Sequence, residues 1–344
     1  MFLDDKNKPF IIAEIGVNHN GSVEIAKKLI DVAYEAKVDA VKFQTFKAWE
    51  CASKFADLAR YQKDEAENQY KLLENLELDF ADFADLKEYA ESLGLVFLST
   101  PDGQKSLDFL CDIGVKAIKI ASGELTNLPF LTTIAFKKLP VILSTGIGTL
   151  GEVEEAVKTL KLAGASDIML LHCTTEYPAP LEECNLKAIQ TMEKAFQLPV
   201  GFSDHTLGSE AAIIAATLGA VIIEKHITLD KRMKGPDHAA SIEPKELKTY
   251  VDSIRNAVKM LGTGIKEPTQ SELKNIPLVR RGIVASKALK KGEILTGDKI
   301  AIKRPAKGIE PKYLMQIFEK RLIRDLKEDE PITWNDIEND INIS

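Results

Sequence analysis

Short apolar runs recur along the chain, and each is followed by a turn signal and usually by a stretch with helical spacing. Eight such runs cover residues 10–16, 40–46, 95–100, 117–122, 141–145, 168–173, 200–203 and 221–226. Helical spacing of apolar positions occupies 22–36, 82–93, 150–163, 210–218 and 244–261. Continuous apolar strands that alternate with amphipathic helices are typical of βα units around a parallel sheet buried on both faces.

The number of strands separates two α/β architectures. Eight βα units are the number that closes a (β/α)8 TIM barrel. A doubly wound open sheet is the alternative, but its usual glycine-rich GxGxxG turn after the first strand is missing. The pattern therefore predicts a TIM barrel over residues 1–261.

The composition of the sequence and the spacing of its apolar residues change after the last predicted helix. Residues 262–276 are polar and contain two glycines and one proline, which favours a linker over 262–277. Beyond it, residues 278–344 contain short β-type runs separated by glycine and proline turns. We expect a second, small β-rich domain there.

Composition places the chain among ordinary globular proteins, with 45% hydrophobic and 28% charged residues. The 45 Lys and Arg against 52 Asp and Glu give a net charge of −7. This acidic total argues against general binding to nucleic acid or to an anionic membrane, although not against a local anion pocket. The four cysteines form no CxxC pair, so neither a disulfide framework nor a zinc site is expected.

Two features of the sequence bear on location. The first ten residues are charged and lack the apolar core of a signal peptide. The longest apolar stretch, 211–223, is too short to span a bilayer. We expect a cytoplasmic protein.

Polar and ionisable residues concentrate at the carboxyl ends of the predicted strands, where TIM barrels carry their chemistry. A barrel with a purely structural role would not need them. They include Glu14, Lys42, Gln44, Thr100, Lys119, Ser122, Ser144, Ser203, Asp204, His205, Glu224, Lys225 and His226, with Glu124 and Tyr177 in the loops that follow. The sequence therefore predicts an enzyme.

Two histidines end consecutive strands. His205 and His226 would lie a few ångströms apart at one rim, and two neutral imidazoles with water and substrate oxygens suit a divalent metal. The alternative is that each is a hydrogen-bonded rim residue. His238, in the loop after the eighth strand, is a possible third ligand.

Two lysines lie inside otherwise apolar strands. Burying the ammonium of Lys42 or Lys119 is costly, so each must meet the barrel mouth, a carboxylate or an anionic ligand. With the neighbouring hydroxyls they can form a cradle for phosphate and carboxylate. A salt bridge to Glu14 or Glu124 and a Schiff-base role are the alternatives. Glu124 is a candidate acid/base, or it neutralises Lys119.

Nine short motifs carry these residues: AEIGVNHNGS (13–22), VKFQTF (41–46), FLSTP (97–101), KIASGELTN (119–127), STG (144–146), LLHCTTEYP (170–178), GFSDHT (201–206), EKHITLDK (224–231) and GPDHAASIEP (235–244). In this order they resemble the bacterial N-acetylneuraminate (sialic acid) synthases and the related legionaminic and pseudaminic acid synthases. IVASKALKKGEILTGDKIAIKRP (283–305) resembles the family's antifreeze-like (SAF, β-clip) domain.

The resemblance implies an activity. The family condenses phosphoenolpyruvate with an N-acylated mannosamine-type sugar in its open-chain form, and releases phosphate and a 2-keto acid. The first hypothesis is that the protein is an N-acetylneuraminate synthase that uses N-acetylmannosamine. The alternative is an N,N'-diacetyllegionaminic acid synthase that uses 2,4-diacetamido-2,4,6-trideoxymannose, and a pseudaminic acid synthase is the third choice. The TTEYP and GPDHAASIEP segments favour the first two.

The resemblance also implies roles for single residues. His205 and His226 would bind the divalent metal, usually manganese, with magnesium or cobalt as other choices. Glu124 and Glu14 would be catalytic, with Glu124 handling protons around the tetrahedral intermediate. Phosphoenolpyruvate would be held by Lys42, Thr100, Lys119, Ser122, Ser144 and Ser203. The sugar would be positioned by Gln44, Tyr177, Asp237 and Arg304, the last from a neighbouring subunit in a domain-swapped homodimer.

The resemblance gives His238 no metal role, so we no longer expect it to be a ligand. The sequence also departs from the family pattern at positions near the sugar site. Asp102 replaces the usual Phe after STP, Ile147 the commoner Met, Thr175 an Asn of some relatives and Ala306 the usual Gly of RPG. A sugar-binding Asn that some members carry between strands two and three has no counterpart that we can place. These changes leave the sugar preference open.

Two other functions remain as hypotheses. A related barrel synthase with a sugar-phosphate acceptor predicts extra Arg or Lys at the barrel mouth, and few arginines are found at the strand ends. A sugar- or ice-binding protein with an inactive barrel predicts loss of residues such as Glu124 or His226, and both are present.

Overall fold

The structure is a computed structural model that describes residues 8–58 and 66–338. Contacts divide the chain into two compact units, Met1–Gly262 and Thr263–Ser344. The segment 1–7, on which the expected location partly rests, lies outside the described residues. No helix within the described residues is long and apolar enough to cross a membrane.

The first unit is built on eight parallel strands that close into a barrel in chain order. They are β1 (Phe10–Gly16), β2 (Ala40–Thr45), β3 (Val96–Pro101), β4 (Ile118–Ile120), β5 (Val141–Ser144), β6 (Ile168–Cys173), β7 (Val200–Asp204) and β8 (Ile222–His226). The predicted TIM barrel is confirmed. The main difference is in β4, predicted at 117–122, because Ser122–Glu124 turns away as a 3-10 helix.

Helices surround this barrel. They are α1 (Val23–Glu35), α2 (Ala48–Cys51), α3 (Gln69–Leu76), α4 (Phe80–Ser92), α5 (Gln104–Asp112), α6 (Leu128–Phe136), α7 (Leu150–Leu162), α8 (Ala188–Phe196), α9 (Glu210–Thr217) and α10 (Pro244–Leu261). Several start at sequence-encoded caps: Thr149 and Glu152 form a capping box at α7, and Pro244 occupies the first turn of α10.

The barrel interior is layered. A lower layer of buried apolar side chains includes Ile12, Ala40, Leu98, Ala117, Ile142 and Ile222. Because side chains alternate along a strand, the residue two positions later points into the barrel one layer higher. Those positions are Glu14, Lys42, Thr100, Lys119, Ser144 and Glu224. A polar layer therefore lies directly above an apolar plug.

The second unit is small and rich in irregular β-structure. Two short helices, α11 (Gln270–Leu273) and α12 (Ile276–Val279), precede the antiparallel pair β9 (Gly282–Ala285) and β10 (Ile300–Lys303), and α13 (Leu314–Ile317) follows. Isolated bridges such as Leu289–Leu326 extend the pairing around a separate apolar core. The segment predicted as a linker thus contains α11 and part of α12.

Candidate active site

A cavity of about 190 Å³ opens at the carboxyl ends of the barrel strands. The polar layer forms its floor, because the strands place every second side chain there. Eleven of the predicted site residues line it: Glu14, Lys42, Gln44, Thr100, Lys119, Ser122, Ser144, Tyr177, Ser203, His205 and His226. The prediction that these residues converge is confirmed, whereas their individual roles stay predictions.

Two lysines and two glutamates form a buried charge cluster on the floor. Lys42 Nζ lies 2.7 Å from Glu14 Oε2 and 3.8 Å from Glu224 Oε2. Lys119 Nζ lies 3.7 Å from Glu224 Oε1. All four side chains are buried. Because the glutamates lie next to the lysines, they offset the positive charges that would otherwise be buried without a partner.

The cluster shifts the pKa of each member. Burial raises the pKa of Glu14 to about 7, although Lys42 opposes the rise. Burial also disfavours charge on Lys42, but Glu14 and Glu224 outweigh it and raise the Lys42 pKa. For Lys119 burial prevails and lowers the pKa. Burial opposes charge on Glu224 too, yet the two lysines and the Ser203 hydroxyl lower its pKa.

Hydroxyls extend the cluster. Thr100 Oγ1 accepts a hydrogen bond from Lys42 Nζ at 3.2 Å, and Ser203 Oγ donates to Glu224 Oε1 at 2.9 Å. On the β4–β5 side, Ser122 Oγ accepts from the backbone N–H of Gly146 at 3.0 Å. The cavity floor therefore offers cations and hydroxyl groups suited to phosphate and carboxylate oxygens.

The two histidines face each other above the cluster. The ring centroids of His205 and His226 are 5.6 Å apart, and the Tyr177 ring lies 4.2 Å from that of His205. Burial lowers the pKa of His205 and lowers that of His226 well below its usual range. Both imidazoles are therefore neutral at neutral pH, the form that binds a metal.

Their hydrogen bonds fit metal binding. His205 Nδ1 donates to the Thr174 carbonyl at 2.6 Å, the usual partner of a metal-bound imidazole, and this leaves the lone pair on Nε2. His226 Nδ1 is buried and has no hydrogen-bond partner in the described part of the chain. Within residues 8–58 and 66–338, no three His, Cys, Asp or Glu side chains form a metal-binding group. The pair would thus supply two ligands, and substrate and water the others.

Three predicted site residues do not line the cavity. Asp237 lies beside it, with Oδ2 3.7 Å from His226 Nδ1. Glu124 follows the lining residue Gly123, but its Oε2 accepts a hydrogen bond from Asn127 at 2.6 Å. Arg304 is an exposed residue of the second unit.

The other histidines have structural partners. His238 Nδ1 bonds the Thr228 hydroxyl at 2.7 Å and its Nε2 lies 3.1 Å from Asn20 Oδ1, which agrees with its removal as a ligand. His19 Nδ1 accepts from the Gly21 backbone N–H at 3.1 Å in the turn before α1. Neither side chain lines the cavity.

Two charged lining residues were missed as site candidates. Glu224 is the partner of Lys119, in place of Glu124, and the signal was available because Glu224 lies two residues before His226 on one strand. Asp102, noted as a departure from the family pattern, lines the cavity just beyond β3. Burial and then Glu124 raise the pKa of Asp102 to about 7.

Removing these charges from water costs free energy that a purely structural barrel would not recover, whereas a ligand can. The protein is therefore a TIM-barrel enzyme. The chain belongs to the NeuB family, whose model matches residues 29–266, and the SAF domain model matches residues 280–338.

Known proteins agree with this assignment. The chain is 49% identical over 330 residues to the N,N'-diacetyllegionaminic acid synthase of Campylobacter jejuni subsp. jejuni serotype O:2, covering 94% of this chain and 99% of that protein. The protein of the same name from Legionella pneumophila subsp. pneumophila is 46% identical over 336 residues, covering 96% and 94%. A solved N-acetylneuraminic acid (sialic acid) synthetase from Leptospira borgpetersenii serovar Hardjo-bovis is 37% identical, with a TM-score of 0.69 over 78% of this chain and 91% of that one.

Proposed function

We propose that the protein condenses phosphoenolpyruvate with an N-acylated amino sugar to give a nonulosonic acid and phosphate. The observation that carries the proposal is the arrangement of two buried lysines below two neutral histidines in one cavity. The lysines match a small anion that bears a phosphate and a carboxylate. The histidines match the site where the sugar carbonyl would react.

The chain's own residues divide the work. Lys42 and Lys119, with Thr100, Ser122, Ser144 and Ser203, bind and orient phosphoenolpyruvate. Glu14 has a pKa of about 7, so it can hold or release a proton at neutral pH. Glu124, next to the lining residue Gly123, is the second candidate for proton transfer around the tetrahedral intermediate. Gln44, Tyr177 and Asp237 position the sugar.

A divalent metal, most simply Mn²⁺, would be held by His205 and His226. When bound, it supplies a Lewis acid that polarises the sugar carbonyl. Both rings already have the neutral form that a metal ligand needs.

The comparisons favour the legionaminic alternative over the first reading with N-acetylmannosamine. Both relatives named above as N,N'-diacetyllegionaminic acid synthases span nearly the whole chain at 46–49% identity. We therefore propose 2,4-diacetamido-2,4,6-trideoxymannose as the preferred sugar and N-acetylmannosamine as the second. The sugar-phosphate hypothesis gains no support, because Lys42 and Lys119 are the only Lys or Arg among the described lining residues.

Phosphate release tests this function. With phosphoenolpyruvate and Mn²⁺, turnover is expected to be fastest with 2,4-diacetamido-2,4,6-trideoxymannose, slower with N-acetylmannosamine and slowest with the pseudaminic precursor. Product mass should show a 2-keto acid three carbons longer than the sugar. A reaction without metal, followed by a chelator control, separates the metal requirement. No phosphate release with any of the three sugars would contradict the proposal.

Asp102 predicts a pH dependence of substrate binding. Its carboxyl, with a pKa raised to about 7, becomes anionic as pH rises through that value and then repels the phosphoenolpyruvate anion. The KM for phosphoenolpyruvate should therefore rise roughly threefold to tenfold between pH 6 and pH 8. Asp102→Asn should make the rise smaller, and the remainder would come from Glu14, whose pKa is also about 7. Asp112→Asn on exposed α5 should leave the rise unchanged. An equal slope in Asp102→Asn and the wild type would contradict this prediction.

A swapped homodimer and a cytoplasmic location remain proposals. Arg304 is exposed in the second unit and forms no ion pair with another described residue, which suits a residue that contacts the sugar N-acyl group in another subunit. A substrate such as phosphoenolpyruvate, made inside cells, suits the cytoplasm.

A further inference from the structure

A second buried polar network lies on the outer side of the barrel wall, immediately behind the histidine pair. Asp204 and Lys225 are the residues that directly precede His205 and His226. Since side chains alternate along a strand, the histidines point into the barrel while Asp204 and Lys225 point outward under α10. None of the network residues lines the substrate cavity.

The network is fully connected. Lys225 Nζ lies 3.1 Å from Asp204 Oδ2, and the same oxygen accepts a hydrogen bond from the Tyr250 hydroxyl at 2.9 Å. Asp204 Oδ1 accepts from Thr206 twice, from the backbone N–H at 2.9 Å and from Oγ1 at 2.7 Å. Lys225 Nζ also donates to the Thr206 carbonyl. All four residues are buried, so loss of one contact would leave a buried polar group without its protein partner.

The position of this network matters because backbone pairing between the two strands ends there. The register of β7 and β8 runs Phe202–Ile223, Ser203–Glu224 and Asp204–Lys225, and no pair follows. His205 and His226 thus lie one residue beyond the last β7–β8 pair, although His226 still pairs with Glu14 of β1 on its other side. The bonds from Asp204 and Lys225 to Thr206 fix the chain on both sides of His205.

We propose that Asp204, Lys225, Thr206 and Tyr250 form a positioning unit that holds the His205 and His226 imidazoles at a metal-binding separation. The inference rests on the proposed function for the metal itself. The unit touches neither substrate nor metal, and it acts only through the backbone that carries the two rings. In other metal sites, residues that hydrogen-bond to the metal ligands orient them, and loss of such a residue weakens metal binding about 10–100-fold. We expect an effect of the same size from this positioning unit.

Asp204→Asn tests the unit, because it keeps the side-chain shape and removes the charge that pairs with Lys225. Mn²⁺ affinity, measured by equilibrium dialysis with the full chain, should fall about 10–100-fold. The matched control is Asp39→Asn at the amino ends of the strands. Asp39 also meets a cation, Arg255 at 3.2 Å, and accepts a backbone N–H, that of Ile11 at 2.9 Å. The control should lose thermal stability but keep its Mn²⁺ affinity within about twofold.

A second measurement needs no metal. The chain has five histidines, so ¹⁵N spectra of the metal-free protein can resolve their tautomers. In the wild type and in Asp39→Asn, His205 should be a single tautomer with the proton on Nδ1, as its bond to Thr174 requires. In Asp204→Asn, His205 should average between tautomers.

The outcomes are distinct. Unchanged Mn²⁺ affinity and an unchanged His205 tautomer in folded Asp204→Asn would overturn the positioning unit, as would an equal loss of affinity in Asp39→Asn. If Asp204→Asn does not fold, Tyr250→Phe decides, with an expected loss of Mn²⁺ affinity of about threefold; no loss would overturn the unit. A wild-type protein that binds no Mn²⁺ would contradict the proposed metal, while an altered tautomer in Asp204→Asn would still support the unit.

Discussion

Replacing either His205 or His226 with alanine is expected to lower kcat/KM by about 10³-fold or more, which corresponds to roughly 4 kcal/mol of transition-state stabilisation. The physical reason is that these two imidazoles, 5.6 Å apart, are the proposed metal ligands, so each substitution would remove half of the ligands that the protein supplies. The measurement is phosphate release at saturating phosphoenolpyruvate, with Mn²⁺ affinity determined in parallel.

The double variant refines the test. Because both rings act as one unit, His205→Ala/His226→Ala should be hardly worse than either single variant. His172→Gln is a suitable control, since His172 lies on β6 and its Nε2 bonds the Cys184 carbonyl at 2.7 Å instead of facing the cavity. We expect its activity to stay within about tenfold of the wild type. Retained turnover in His205→Ala would overturn the metal assignment.

The polar floor of the barrel was predictable because strand periodicity is strict. Once Ile12 and Ala40 are assigned to the interior, Glu14 and Lys42 must point to the same side two residues later. The number of strands then brings eight such positions together at one mouth. Local pattern and topology together therefore sufficed to assemble most of the site from sequence.

The partners of the charged groups were not predictable in the same way. Pairing across a barrel depends on the height of each side chain and on where each strand ends. β4 ends at Ile120, and the 3-10 turn that follows removes Glu124 from the lining, so Lys119 pairs with Glu224 from β8. Glu124 is nearer to Lys119 along the chain, which is why it was considered as the partner of Lys119. In the folded barrel Glu224 is the carboxylate next to Lys119.

The Asp204–Lys225 network could not be predicted from the sequence either. Both residues lie within strand-end motifs that were interpreted through their histidines. That they meet on the outer face depends on the β7–β8 register, and the role of Tyr250 depends on how α10 packs. The alternation of side chains along one strand shows which residues share a face. It does not show how that strand is aligned with its neighbour or how a helix packs against it.

Lys42→Met is expected to abolish activity and to destabilise the protein by about 3–5 kcal/mol, the usual cost of removing one partner from a buried ion pair. The substitution leaves Glu14 buried without the cation that lies 2.7 Å from it, whereas Glu224 keeps Lys119 at 3.7 Å. Chemical denaturation followed by fluorescence measures the loss of stability, and phosphate release measures the loss of activity.

The destabilisation of Lys42→Met should depend on pH, and the sign follows from Glu14. Its folded pKa of about 7 already lies above the ordinary value of 4.5 for a glutamate, and loss of Lys42 raises it further. The folded state then binds a proton that the unfolded state has released, so stability falls as pH rises from 4.5 through the folded pKa. Lys42→Met should therefore be less destabilised relative to the wild type at pH 5.5 than at pH 8.

The double variant Glu14→Gln/Lys42→Met separates folding from function. Removal of both charges eliminates the uncompensated carboxylate, so most of the stability lost in Lys42→Met should return. Activity should not return, because the cation that binds phosphoenolpyruvate is still missing. A double variant that regains turnover would show that Lys42 serves only to neutralise Glu14, and the assignment of the barrel floor as the phosphoenolpyruvate site would then be wrong.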